Sequence, residues 1–400
     1  MHRFLVIFLV LCSTAFAKVE ERIAIDAEVN GKPVRLVFDT GAECTFIYRH
    51  TAKRLNLSVT DPPQCVRLKP GAVLMGRSEE CRIAMLNSTM IGRLAVVDVP
   101  SFLARQNEDG VLSWNEFRDV ILRIDADNKT VTGLAALPRD IDQWTKWNLR
   151  ADSNLLAFYL PGISKTNGTI LIDTGSSLGV ELSPELWEEW QKEHPDQPST
   201  LIGRGTPVNP FLVYVECWAK ELTIEGFSIH DVPVMQADPG IKYALQNHLA
   251  TLGLFALTKF DIIVDRKHGA IYTRAHRDSK TAYQYNRLGA VFSPRDMKGQ
   301  DLIAHVAEKS PAYSAGIRNG DILLSVDNID VTKWRTAPEI LIASWFREPA
   351  DTELQLSLER NGKRFETIVI LKDILSQNNL TKNADPVHSD GRLKNSGNKK

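Results

Sequence analysis

The chain has 400 residues, 43% hydrophobic and 24% charged, the make-up of a globular protein too long for one small domain. Its formal net charge of -1 gives no long-range attraction to nucleic acid or anionic lipid. With no basic stripe either, a nucleic-acid partner is not expected.

In chain order, residues 1–17 read as an export signal: Arg3, then an apolar run from Phe4 to Leu11, then Ala15-Phe16-Ala17 as a small-x-small cleavage site. The run is far shorter than the roughly 20 residues of a spanning helix, so no integral membrane segment is expected after cleavage. The expected location is exported, periplasmic or secreted. Cys12 leaves with the signal, and Cys44, Cys65, Cys81 and Cys217 stay. In an oxidising compartment, a Cys65–Cys81 bridge and buried free thiols are both compatible with the spacing. No CxxC or HExxH occurs, so neither a metal nor another cofactor is expected.

An internal repeat organises the chain beyond the signal. Val34-Arg35-Leu36-Val37-Phe38 leads into Asp39-Thr40-Gly41, and Thr169-Ile170-Leu171-Ile172 leads into Asp173-Thr174-Gly175. Turn signals precede them, Asn30-Gly31 and Asn167-Gly168. Asp98-Val99-Pro100 and Asp231-Val232-Pro233 follow at nearly equal distances. Val111-Leu112-Ser113 and Thr251-Leu252-Gly253 come next, and Asp125 and Asp265 each lie twelve residues further on. The repeat predicts two similar lobes, 18–140 and 141–275, made of short strands bounded by Gly, Pro, Asn and Asp. Asp125 and Asp265 are expected to end strands, and the Asp-Val-Pro triplets to be strand-and-turn structure. Ser183, Pro184 and Glu185 predict a helix over 183–193. A charged linker then leads to a third domain over 283–375, and the polar tail 376–400 is expected to be disordered.

Asp39-Thr40-Gly41-Ala42-Glu43-Cys44-Thr45-Phe46-Ile47 resembles the active-site segment of retropepsin-like aspartic proteases. Asp173-Thr174-Gly175-Ser176-Ser177 resembles the matching segment of pepsin-like enzymes. The resemblance covers roughly residues 20 to 275. It implies a mainly β fold with two acid-protease lobes in a bilobal, pseudo-twofold arrangement. It also implies an aspartic endopeptidase acting on a peptide or protein substrate, with Asp39 and Asp173 catalytic. Thr40, Gly41, Thr174 and Gly175 would support the two loops, and Ala42, Glu43, Ser176 and Ser177 would contact substrate or the catalytic pair. Two features depart from the family pattern. Ser113 stands where a Gly is expected, and the flap region between Cys65 and Cys81 has Gly71 and Gly76 but no Tyr.

Ser310-Pro311-Ala312, Ala315-Gly316-Ile317 and Gly320-Asp321-Ile322 resemble the PDZ domains of exported bacterial proteases, an α+β fold. Leu288-Gly289-Ala290-Val291 is then the expected carboxylate-binding loop. Thr336-Ala337-Pro338-Glu339 reads as a capping box opening the groove helix. In such a groove a peptide or protein C-terminus adds as a strand.

Two carboxylates sharing a proton suit peptide hydrolysis, because one activates water while the other protonates the carbonyl. Three rival readings stand beside this one. Gly175-Ser176-Ser177-Leu178-Gly179 fits G-x-S-x-G, yet a nucleophile elbow needs a helix at the Ser, and Leu178 to Leu182 reads as extended. A non-catalytic two-lobed peptide-binding protein is the alternative that Ser113 and the flap motivate. Pairing of lobes between two chains is the third.

Overall fold

The computed structural model describes residues 22–60, 67–68, 72–86, 88–99, 107–161, 168–204, 211–238, 248–276, 279, 281–295, 298–337 and 340–375. The expected signal, Cys65, Gly71, Pro100, Asn167, the Pro338-Glu339 part of the capping box and the polar tail lie outside the described residues. No helix among the described residues is long and apolar enough to cross a membrane.

The first lobe carries β1 (Ala24–Val29), β2 (Lys32–Asp39), β3 (Phe46–Tyr48), α1 (Arg49–Leu55), β4 (Val59–Thr60), β5 (Arg67–Leu68), β6 (Ala72–Ser78), β7 (Cys81–Met85), β8 (Ser88–Gly92), β9 (Ala95–Asp98) and β10 (Gly110–Ser113). Its sheet runs β4-β6-β9-β3-β10-β2-β1-β7-β8, with β5 on β6. Asn30 and Gly31 are both left-handed, at φ 52° and 75°, and join β1 to β2 in the two-residue turn that matches strand twist. β2 starts at the surface and ends fully buried between β1 and β10, so its apolar run carries Asp39 inward.

The second lobe's sheet begins in the first half of the chain, with β11 (Ile121–Asp125) and β12 (Thr130–Leu134). It continues through β13 (Thr145–Leu149), β14 (Ala157–Tyr159), β15 (Thr169–Asp173), β16 (Val180–Leu182), α2 (Pro184–Glu193), β17 (Ser199–Arg204), β18 (Leu212–Ile224), β19 (Phe227–Gln236), β20 (His248–Gly253), α3 (Leu254–Leu257), β21 (Phe260–Asp265) and β22 (Ala270–Ala275). The strand order is β12-β11-β21-β22-β13-β14-β15-β20-β16-β19-β18-β17.

Pseudo-twofold symmetry shows in the pairing. β10 runs parallel to β2 with Ser113 opposite Asp39, and β20 runs parallel to β15 with Gly253 opposite Asp173. β11 and β21 pair antiparallel across the junction, so the two lobes meet within one chain. Phe38, Leu112 and Ile124 share one apolar core with Ile172, Leu252 and Val264. Asp125 and Asp265 end their strands, as expected, and accept the backbone N–H of Asn128 at 2.9 Å and of His268 at 3.2 Å.

The Asp-Val-Pro triplets are not equivalent, which corrects their place in the repeat. Ile47 pairs with Val96, two residues before Asp98, whereas Glu181 pairs with Met235, four residues after Asp231. Equal spacing in sequence gives different positions on the ladder because the intervening loops differ. The helix over 183–193 forms as the sequence predicts. Ser183 Oγ accepts from Leu186 N at 3.3 Å, Pro184 occupies the first turn, and Trp187 and Trp190 are buried on one face.

The third domain holds β23 (Ala290–Ser293), β24 (Leu302–Val306), α4 (Pro311–Ser314), β25 (Ile322–Val326), β26 (Ile329–Asp330), α5 (Ile342–Trp345), β27 (Glu353–Arg360) and β28 (Lys363–Ile370), with its own core around Leu288, Ala304, Val326 and Leu356. The groove helix does not open at Thr336, whose hydroxyl donates to Lys333 O at 3.1 Å within a turn. α5 begins at Ile342 without a side-chain cap.

Candidate active site

Asp39 and Asp173 end two equivalent buried strands, and the loops that follow them face each other. A Cβ added to Gly41 would lie 2.6 Å from Asp173 Oδ1, and one added to Gly175 would lie 2.3 Å from Asp39 Cγ. Both glycines are therefore demanded by close approach of the opposite carboxylate. Each carboxylate is also gripped by its own loop. Gly41 N donates to Asp39 Oδ1 at 2.8 Å, Gly175 N to Asp173 Oδ1 at 2.9 Å, and Ser176 N to Asp173 Oδ1 at 3.2 Å.

The threonines between them cross-link the loops. Thr40 N donates to Thr174 Oγ1 at 3.1 Å, and Thr174 N donates to Thr40 Oγ1 at 3.0 Å. Their hydroxyls in turn donate to the opposite strand ends, Thr40 to Ile172 O at 2.6 Å and Thr174 to Phe38 O at 2.8 Å. All four bonds are buried, where an unmade bond is costly. The brace fixes the two carboxylates against one another.

Burial and the neighbouring Asp173 charge push the Asp39 carboxyl well above the ordinary Asp range. The Arg22 guanidinium and the Gly41 N–H oppose that shift. A raised carboxyl beside a second carboxylate is the setting in which two acids can share one proton and titrate as a unit.

Ser113 replaces a glycine without harm to the packing. Its Oγ donates to Ala42 O at 2.7 Å, tying β10 to the Asp39 loop. Its counterpart Gly253 has no such room, because a Cβ there would lie 2.4 Å from Leu178 O. In the flap region, β5 and β6 pair as a hairpin, and Gly76 passes so close to Thr60 that a Cβ would lie 2.0 Å from its carbonyl oxygen.

The four residues expected to contact substrate divide into two groups. Glu43 and Ser177 are half-buried at the loops, and Ser177 borders a cavity of about 220 Å³ with Phe255 and Tyr283. Ala42 and Ser176 have buried side chains, and Ser176 meets Asp173 through its backbone N–H. Ala42 packs among Val37, Phe46 and Leu74, and Ser176 Oγ accepts from Leu178 N. The chain after Ser177 enters β16 and not a helix, so the G-x-S-x-G run forms no nucleophile elbow. Cys44, Cys81 and Cys217 are free thiols.

Residues 25–115 match the aspartyl protease family. The chain holds an aspartyl protease domain. Residues 302–360 match a PDZ domain, and the structure extends that unit back to β23 through its ladder with β24. No curated protein matches the chain. The protease match covers the first lobe, while the second lobe is tied to it by the reciprocal threonine and carboxylate geometry.

The sequence reading missed the buried ion pairs behind the protease loops. Arg204 Nη1 meets Glu181 Oε2 at 2.5 Å, and Arg22 Nη1 lies 3.8 Å from Glu108 Oε2. Burial raises the Glu181 carboxyl, and Arg204 offsets part of that. A signal existed in Val180-Glu181-Leu182, where one charge interrupts an apolar strand. The PDZ loop also differs from expectation. Leu288 N and Gly289 N already donate to Asn286 Oδ1, at 3.0 and 3.3 Å.

Proposed function

We propose that the protein is an aspartic endopeptidase whose Asp39–Asp173 pair activates a water to hydrolyse peptide bonds. The observation that supports this is the reciprocal Thr40–Thr174 brace, which sets two buried carboxylates within reach of one shared proton. One carboxylate takes a proton from the water as it attacks, and the other protonates the carbonyl oxygen; the first then gives its proton to the amine nitrogen as the C–N bond breaks and the second takes one from the diol hydroxyl, so the pair returns to its starting proton count. Burial favours this division, because one negative charge, and not two, is stable there.

Glu43 and Ser177 are the residues we assign to substrate contact. The PDZ groove along β23 is read as an acceptor of an extended peptide or protein C-terminus, entering by strand addition. The N-terminal pattern, Arg3 followed by the apolar run Phe4 to Leu11 and Ala15-Phe16-Ala17, supports an exported enzyme, periplasmic or secreted. The test is digestion of a denatured protein mixture by the mature chain, by Asp39→Asn and by Asp173→Asn across pH 3 to 8, with product mapping. Each variant should lose at least about a thousandfold in rate. Undiminished cleavage by either one would refute the pair.

A further inference from the structure

β23 is an edge strand of the PDZ sheet, whose ladder partner is β24. An open edge is where a peptide would add, and unpaired edges are normally covered. In this chain the covering element is β17, the outer strand of the second protease lobe. A Cβ on Gly203 would stand 2.9 Å from Val291 Cγ1, so the two edges are in contact there.

Three further observations mark this junction as an occupied groove. Phe211, just before β18, packs on the PDZ core, its ring 6.3 Å from that of Trp334 at 89°. It lines an apolar cavity of about 60 Å³ together with Leu201, Phe292, Leu302, Ile342 and Phe346, between β23 and α5. Asn286 completes the closure. Its Oδ1 accepts from Leu288 N and Gly289 N, the bonds a peptide carboxylate would accept, while its Nδ2 donates to Leu201 O at 2.8 Å. Thr200 Oγ1 donates to Asn286 O at 2.7 Å, so the same residue is held from both sides by β17.

We propose that the PDZ groove is filled in cis by the second protease lobe, with Phe211 in its apolar pocket and Asn286 in its carboxylate site. A peptide ending in an apolar residue and a free carboxylate enters only by displacing them. The inference rests on the groove being a peptide acceptor. It links the groove to the protease lobe, because Arg204, next to Gly203 on β17, reaches Glu181 on β16, and β16 pairs with β20 beside Asp173.

The test uses the full chain with Asp39→Asn, so that peptides are not consumed. The probe is an equimolar pool of eight-residue peptides with free Leu, Ile, Val or Phe carboxylates, with amidated twins as control. Gly203→Cys combined with Val291→Cys locks the two edges when oxidised, the link being verified by peptide mass. The oxidised form should bind the pool at least tenfold more weakly than its reduced form, and Phe211→Ala should bind it about fivefold more tightly than the parent. The oxidised–reduced comparison stands even if Phe211→Ala misfolds. Equal binding by oxidised and reduced forms would overturn the cis closure alone. Binding by no form, or equal binding of the amidated twins, would overturn the groove reading on which it rests.

Discussion

Gly41 and Asp173 lie so close that a single added methyl at Gly41 would sit 2.6 Å from the Asp173 Oδ1 atom. The contact joins residues from different lobes, and its mirror image joins Gly175 to Asp39. Gly41→Ala should therefore force the carboxylates apart and lower peptide cleavage at least about a hundredfold, since small misplacements of reacting groups have effects of that size. Steady-state kinetics on a quenched peptide checks this. Retained activity would mean that the loops tolerate separation.

Thr40 serves two partners at once, as acceptor for Thr174 N and donor to Ile172 O. Thr40→Val leaves both buried groups without their partner and should cost about 2–6 kcal/mol, at roughly 1–3 kcal/mol per buried orphan. Thr40→Ser keeps the hydroxyl and should recover most of the loss. Urea midpoints at constant slope separate the two variants.

Ser113 supports the Asp39 loop through Ala42 O. Ser113 Oγ also accepts from Asn115 N and Nδ2, at 3.3 and 3.1 Å, so Ser113→Ala should lose about 1–3 kcal/mol of stability. If Ser113 were only a tolerated stand-in for glycine, Ser113→Ala would be neutral in a denaturant melt.

Acid weakens the fold through His248. Burial, helped by Arg150, lowers its pKa to about 3, and the ring stays neutral against Thr169 Oγ1 at 2.7 Å. The unfolded chain takes up this proton below about pH 6.5 while the folded chain does not. Stability contributed by the neutral ring is thus complete above that pH and declines as pH falls toward 3. The slope is about 1.4 kcal/mol per pH unit, or about 2 kcal/mol between pH 6.5 and 5. His248→Gln should flatten that part of the stability–pH curve, measured by denaturant titration at each pH. An unchanged slope would place the acid sensitivity elsewhere.

The two Asp-Thr-Gly triplets were legible because their strands, turns and glycines are local features that recur in one chain. Ser183 announced α2 for the same reason, since a cap acts within one helical turn. Spacing between distant landmarks misled for Asp98 and Asp231, because loops of different length can give equal counts. The burial of the Ala42 and Ser176 side chains is not legible from their positions beside the Asp residues, because which way a loop side chain points depends on what packs over it.

Local patterning along the chain was enough to specify the strand-rich character, the repeated carboxylate loops and the separate peptide-binding module, because hydrophobic alternation and turn chemistry act over a few residues. Only the folded chain brings the Asp39 and Asp173 carboxylates together, pairs Arg204 with Glu181, and sets Asn286 against Leu201 and Phe211 against Trp334. Each of those arrangements joins residues far apart in the chain. Their contact is fixed by the energy of burying whole surfaces together, which no local pattern encodes.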